Sequence, residues 1–151
     1  MKEFITWSDE ISVGIQEIDD QHKQLILYIN TLYDVMIHPK NKEHVVKEIM
    51  NNLTQYTIIH FAVEESLFRI FDYPRYEEHK KHHLELAQQV IDINVKVQAG
   101  EDMITSELLN FLRKWLYNHI MKEDKLYTPF LLKNGIKKDT KKSWFRRMWD
   151  M

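Results

Sequence analysis

The chain has 151 residues, 29% of them charged and 44% hydrophobic, with a formal net charge of −2. That suits one ordinary globular domain and gives no reason to expect nucleic acid or another polyionic partner. Cysteine is absent, which excludes disulfides, thiolate metal sites, cysteine-ligated clusters and a cysteine nucleophile.

No apolar run approaches the ~20 residues of a membrane span. Met1 to Ile5 lacks the apolar stretch of a secretory signal. The expected compartment is therefore the cytoplasm.

Residues 1–18 carry no helical period and read as an extended N-terminal segment that includes Gly14. Leu25, Ile29, Leu32 and Met36 then recur as one apolar stripe, which predicts a helix over about 19–37, ended before Pro39. Asn41 can cap a second helix over about 41–71, with Val45, Ile49, Leu53, Tyr56 and His60 on one face. Asp72-Tyr73-Pro74 breaks the pattern, and Pro74 suits the first turn of a third helix over about 74–99. Gly100 fits a left-handed cap. A fourth helix over about 104–133 ends at Asn134-Gly135. Short connections make neighbouring helices antiparallel, so residues 1–135 are expected to form an all-α, up-down-up-down four-helix bundle.

The stretch from Lys133 to Met151 differs. It holds seven Lys/Arg against Asp139 and Asp150, a net of +5, so the rest of the chain carries −7. Trp144, Phe145 and Trp149 lie among those basic residues. Residues 136–151 are expected to form a short tail helix that packs its aromatics on the bundle. The other reading is a contact with a membrane surface or a protein partner.

Histidine is the unusual residue: eight occur, seven of them between His22 and His83. His60 and Glu64 are four apart, as are His79 and His83, and that spacing stacks two side chains on one helical face. His22 lies early in the first predicted helix, and His119 and Asp124 lie late in the fourth. Antiparallel order brings all these positions to one end of the bundle. Imidazoles with carboxylates serve iron, zinc, manganese or copper. Seven donors exceed one tetrahedral zinc and suit two metals bridged by two carboxylates. His82 points away from His83, toward the surface or the surround of the site. His38 and His44 flank the first connection and are expected to be solvated.

The sequence resembles the hemerythrin family, and the stand-alone bacterial members in particular. The resemblance is carried by Trp7, Ser12-Val13-Gly14-Ile15 and Ile18-Asp19-Asp20-Gln21-His22, then by His60-Phe61-Ala62-Val63-Glu64-Glu65. It continues in Tyr73-Pro74, His79-Lys80-Lys81-His82-His83, Trp115-Leu116-Tyr117-Asn118-His119-Ile120 and Asp124-Lys125-Leu126-Tyr127, and spans about residues 4–132. It implies two iron ions with an oxo or hydroxo bridge. One iron would take His79, His83 and His119. The other would take His22 and His60 and keep an open position for O2. Glu64 and Asp124 would bridge both.

Spacing argues against one of these assignments. His119 and Asp124 are five apart, whereas Glu123 at four apart would lie better under His119. Asp124 in the bridge requires a widened turn such as a π-bulge.

Around the ligands, Leu25, Phe61, Trp115 and Ile120 are candidates for an apolar O2 pocket. Asp19 and Gln21 are candidates to orient ligand histidines, and Tyr127 is a candidate to hydrogen-bond near Asp124. The resemblance implies reversible O2 binding for carriage, storage or delivery, and no enzyme. A histidine-rich set leans the same way, because neutral imidazoles add no negative charge to favour high-valent iron. The competing readings are an O2, redox or iron sensor, and a di-iron oxidase, peroxidase or nitric-oxide-reactive enzyme. Neither an electron donor nor a fused signalling domain has a signature in the sequence.

Overall fold

The computed structural model describes residues 3–38, 43–101 and 104–136. The order is a 3-10 turn (Asp9–Ile11), α1 (Gln16–Ile37), α2 (Glu43–Ile70), α3 (Tyr76–Gln98), α4 (Ser106–Asn118), a π-helical segment (His119–Asp124) and α5 (Lys125–Lys133). The last three run on without a break and make the fourth rod of an antiparallel four-helix bundle. Among the described residues there is no strand. No described helix is long and apolar enough to cross a membrane.

Of the stripes predicted from spacing, Leu25, Ile29, Leu32, Ile49 and Leu53 are buried, whereas Met36, Val45 and Tyr56 are only partly so. Leu25, Ile29 and Leu32 of α1, Met50 and Leu53 of α2, Val90 of α3, and Leu109 and Leu112 of α4 are all fully buried. Each rod thus gives one stripe to a shared interior, as amphipathic helices must.

The helix ends explain how the rods turn back. Asp72 closes α2 in the left-handed region (φ 54°). The Tyr73 N–H then donates to the Phe68 carbonyl at 2.8 Å, the six-to-one bond of a Schellman ending. Gly100 ends α3 in the same way (φ 75°), with the Glu101 N–H donating to the Lys96 carbonyl at 3.0 Å. Thr105 caps α4, its hydroxyl accepting from the Leu108 N–H at 3.1 Å.

Several expected boundaries shift. The first helix starts at Gln16 rather than 19, because Gly14 (φ 80°) completes the entering turn early. Pro74 lies in the turn ahead of α3, which begins at Tyr76. The fourth rod starts at Ser106. Pro129 does not punctuate the chain; it sits inside α5. The expected Asn41 cap and the tail beyond Ile136 fall outside the described residues.

The N-terminal segment is extended but firmly held. The Asn30 side chain accepts from the Phe4 and Ile5 N–H groups at 3.1 and 2.8 Å and donates to the Ile5 carbonyl at 2.9 Å. Asp19 accepts from the Ser12 hydroxyl at 2.5 Å and the Val13 N–H at 2.8 Å. Lys125 Nζ donates to the Glu10 carbonyl at 2.6 Å. Phe4 stacks on Tyr33 and lies under Arg113 of α4. The segment therefore seals the seam between α1 and the fourth rod, with Ile11 and Ile15 fully buried beneath it.

Candidate metal centre

His60 and Glu64 lie one turn apart on α2, and His60 Nε2 is 3.0 Å from Glu64 Oε1. His79 and His83 lie one turn apart on α3, with ring centroids 4.8 Å apart. Antiparallel packing brings both pairs to the level of His22 on α1 and of the π-helical segment.

That segment decides which carboxylate faces inward. In a regular helix a residue five places on is rotated well away from its partner. The π-helical stretch His119–Asp124 takes more residues per turn, so Asp124 comes under His119. Asp124 is fully buried, its Oδ2 lying 2.8 Å from His22 Nε2 and 3.0 Å from His119 Nε2. Glu123 turns outward to a half-exposed pair with His82 at 3.6 Å.

The seven side chains form two overlapping groups of donors. Donor atoms of His22, His60, Glu64, His119 and Asp124 lie within 4.8 Å of one another, and so do those of His79, His83 and Asp124. Asp124 belongs to both. Glu64 Oε1 also lies 3.4 Å from both His83 Nε2 and His119 Nε2, so each carboxylate faces both groups.

The inward atoms His60 Nε2, Glu64 Oε1, His79 Nε2, His83 Nε2, His119 Nε2 and Asp124 Oδ1 are buried with no hydrogen-bond partner. Buried polar atoms are rarely left so, and six around one point call for cations. Electrostatics agree. Burial, with the Glu64 charge beside it, pushes the Asp124 carboxyl well above the usual range. Burial, with His60 next to it, pushes His22 well down. Burial and His83 hold His79 down at about 3. His119 goes the other way: burial opposes its charge, but Asp124 and Glu64 outweigh that and hold it at about 10. A carboxyl forced up beside a second carboxylate, and three imidazoles forced down, mark a site whose groups a cation would settle.

The outer atoms are tied down. His60 Nδ1 bonds to Gln21 Oε1 at 2.6 Å. His83 Nδ1 bonds to Glu65 Oε2 at 3.0 Å. A carboxylate or amide oxygen only accepts, so each ring carries its proton on Nδ1 and turns the Nε2 lone pair inward. Glu65 was not singled out from sequence; its position one turn past Phe61, next to Glu64, was the available signal. The Tyr127 hydroxyl donates to Glu64 Oε2 at 2.6 Å. It was expected near Asp124, but its side chain reaches across the bundle to the carboxylate on α2. Asp19 secures the N-terminal segment through Ser12 and Val13.

Leu25, Phe61, Trp115 and Ile120 are buried. Phe61 lies flat against His83, with centroids 4.1 Å apart and planes 6° apart, and meets His119 at 5.0 Å. Trp115 Nε1 donates to the Leu86 carbonyl at 3.3 Å. Trp115 and His119 also line a groove between α3 and α4 that opens past Lys114 and Asn118. Phe68 and Tyr73, not foreseen, flank His79 at 4.8 and 6.2 Å. His38 and His44 are exposed.

Residues 13–131 match the family described as the hemerythrin HHE cation binding domain. The chain belongs to the hemerythrin family. A bacteriohemerythrin of Pseudomonas paraeruginosa is 40% identical over 124 residues, covering 82% of this chain and 78% of the relative. One of Methylococcus capsulatus is 34% identical over 128 residues, covering 84% of this chain and 96% of the relative. A crystal structure of wild-type hemerythrin superposes with a TM-score of 0.77 at 31% identity, covering 85% of this chain and 98% of that one. As in that cation-binding family, the seven-donor cluster could hold metal.

Proposed function

We propose that this hemerythrin-family chain binds O2 reversibly at an iron pair, as a carrier, store or delivery protein in the cytoplasm. His79, His83 and His119 would hold one iron, His22 and His60 the other, and Glu64 and Asp124 would bridge them. The observation that carries the reading is the convergence of five imidazoles and only two carboxylates, all buried, with six of their inward atoms unpartnered. Bound there, an iron pair would supply the reversible two-electron chemistry that O2 binding needs.

The chain's own residues set the conditions. Leu25, Phe61, Trp115 and Ile120 are buried apolar neighbours of the proposed ligands in sequence and would limit water at the cluster. Burial, with Asp124 and Glu64 near by, pushes the Tyr127 phenol well up, so the nearest hydroxyl keeps its proton and is a poor acid. With no ready proton source, bound O2 is expected to leave intact when its pressure falls. Gln21 and Glu65 fix the tautomers of His60 and His83. Residues 1–135 would be the complete functional unit.

A second reading is oxidation of a small reductant. It is favoured by the open groove that reaches Trp115 and His119. The visible spectrum of reduced, iron-loaded protein tests both readings. A carrier gives a band on exposure to air that fades on deoxygenation and returns on re-exposure. Oxidation in a single turnover without a reversible band would favour the enzyme.

A further inference from the structure

Two of the ligand imidazoles are backed by acceptors of different charge. On α1, Gln21 offers His60 a neutral amide oxygen at 2.6 Å. On α2, Glu65 offers His83 a carboxylate oxygen at 3.0 Å. Both acceptors take the Nδ1 proton and leave Nε2 turned inward, so as hooks they do the same work. As electron sources they differ. A carboxylate behind an imidazole draws the Nδ1 proton toward itself and makes Nε2 a stronger donor, whereas an amide does so weakly.

The setting sharpens this difference. His83 is almost fully buried, with Phe61 flat on it at 4.1 Å and the Phe68 ring 6.3 Å away. The Glu65–His83 bond therefore acts in a poorly screened environment, although the Glu65 side chain keeps 18% of its surface exposed. That partial exposure lets the carboxylate stay solvated on one side while it acts on the ring from the other.

We propose that Glu65 is a positioning residue that makes His83 the strongest-donating of the two backed imidazoles, so the metal held by His79, His83 and His119 is the more readily oxidised of the pair. Gln21 keeps the His22 and His60 side less electron-rich. The inference rests on the di-iron reading above.

The test compares Glu65→Gln, Glu65→Ala and Gln21→Glu with wild type. Iron content is measured first. The midpoint potential of the iron pair then follows by anaerobic spectroelectrochemistry, together with the rate of iron loss to a chelator. Glu65→Gln keeps a hydrogen-bond acceptor of the same shape and removes only the charge. It is expected to shift the potential upward and to speed chelator-driven iron loss by about tenfold, the low end for such outer partners. Gln21→Glu is expected to shift the potential downward. A merely structural role predicts that Glu65→Gln matches wild type and only Glu65→Ala differs, and that result overturns the proposal. A Gln21→Glu shift in the same direction as Glu65→Gln overturns it too. If wild-type protein does not hold two irons, the di-iron reading fails; if it does and the potentials coincide, only this inference fails.

Discussion

Replacing Asp124 and replacing the adjacent Glu123 by alanine should have opposite effects on metal retention. Asp124 is fully buried and lies 2.8 Å from His22, 3.0 Å from His119 and 3.8 Å from His79. Asp124→Ala thus removes the one side chain common to both donor groups. Loss of a partner that merely supports a ligand costs 10- to 100-fold in metal affinity. Loss of a charged inner donor should exceed that, so more than about 2.8 kcal/mol at 1.4 kcal/mol per tenfold. Glu123 faces outward, with only a partly exposed pair to His82 at 3.6 Å. Such a pair is worth at most about 1 kcal/mol, a few-fold in affinity. Elemental analysis of the three proteins purified in parallel, with far-ultraviolet circular dichroism as the folding control, separates them. Wild type and Glu123→Ala should keep their iron, and Asp124→Ala should lose most of it. If Glu123→Ala loses the iron while Asp124→Ala keeps it, the helix runs regularly through residues 119–124 and the π-helical turn is wrong.

Three further outcomes follow from the same geometry. Tyr127→Phe removes the donor to buried Glu64 Oε2 and should lower the stability of the metal-free protein by about 1.5–3 kcal/mol in chemical denaturation; a change under about 0.5 kcal/mol would show the bond is not formed in solution. Leu25→Gln puts a polar group into a fully buried apolar position one turn from His22 and should speed irreversible oxidation of the iron-loaded protein, read as loss of the reversible visible band; an unchanged rate would mean that Leu25 does not wall the site. The metal-free protein should lose stability as pH falls from about 6.5 toward about 3, because unfolding lets three imidazoles held low by burial, His22, His60 and His79, take up protons. Asp124, held high, opposes with one proton above 3.8, and Glu64, held low, adds one to the loss below 4.5, while the His83 and His119 contributions are already fully present below 6.5. The net loss is about 1.4 kcal/mol per pH unit for each excess proton, and a flat profile across that window would refute it.

Much of this was legible in the residues. Spacing four on α2 and α3, with His22 early and His119 late, fixes the depth at which the donors meet, because short connections leave only an antiparallel order. The stripe Leu25, Ile29, Leu32 names the buried face of α1 for the same reason. What spacing could not yield was the choice between Glu123 and Asp124, since a regular helix favours the wrong one; only the family resemblance pointed to Asp124, and the π-helical turn supplies the physical reason. Contacts that cross between helices were also hidden. The Tyr127 bond to Glu64 and the Glu65 bond to His83 depend on how far rods lie apart, which no single-helix pattern encodes.

The burial pattern divides the molecule into parts with different duties. Away from the donors, Leu32, Met50, Leu53, Val90, Leu109 and Leu112 form an apolar half with no charge in it, and this half can fold the bundle by hydrophobic burial. At the donor end, seven ionisable side chains sit in the interior with six inward atoms unpartnered, an arrangement that costs stability until a cation arrives. Beyond them, Phe68, Tyr73 and Tyr127 with Ile11 and Ile15 of the N-terminal segment close the end. The donor layer thus lies against a continuous apolar core. Metal binding then stabilises a site whose geometry is already set, and the bonds from Gln21, Glu65 and Tyr127 keep its ligands aimed before the metal enters. This is why the site can be strained in charge without being loose in shape.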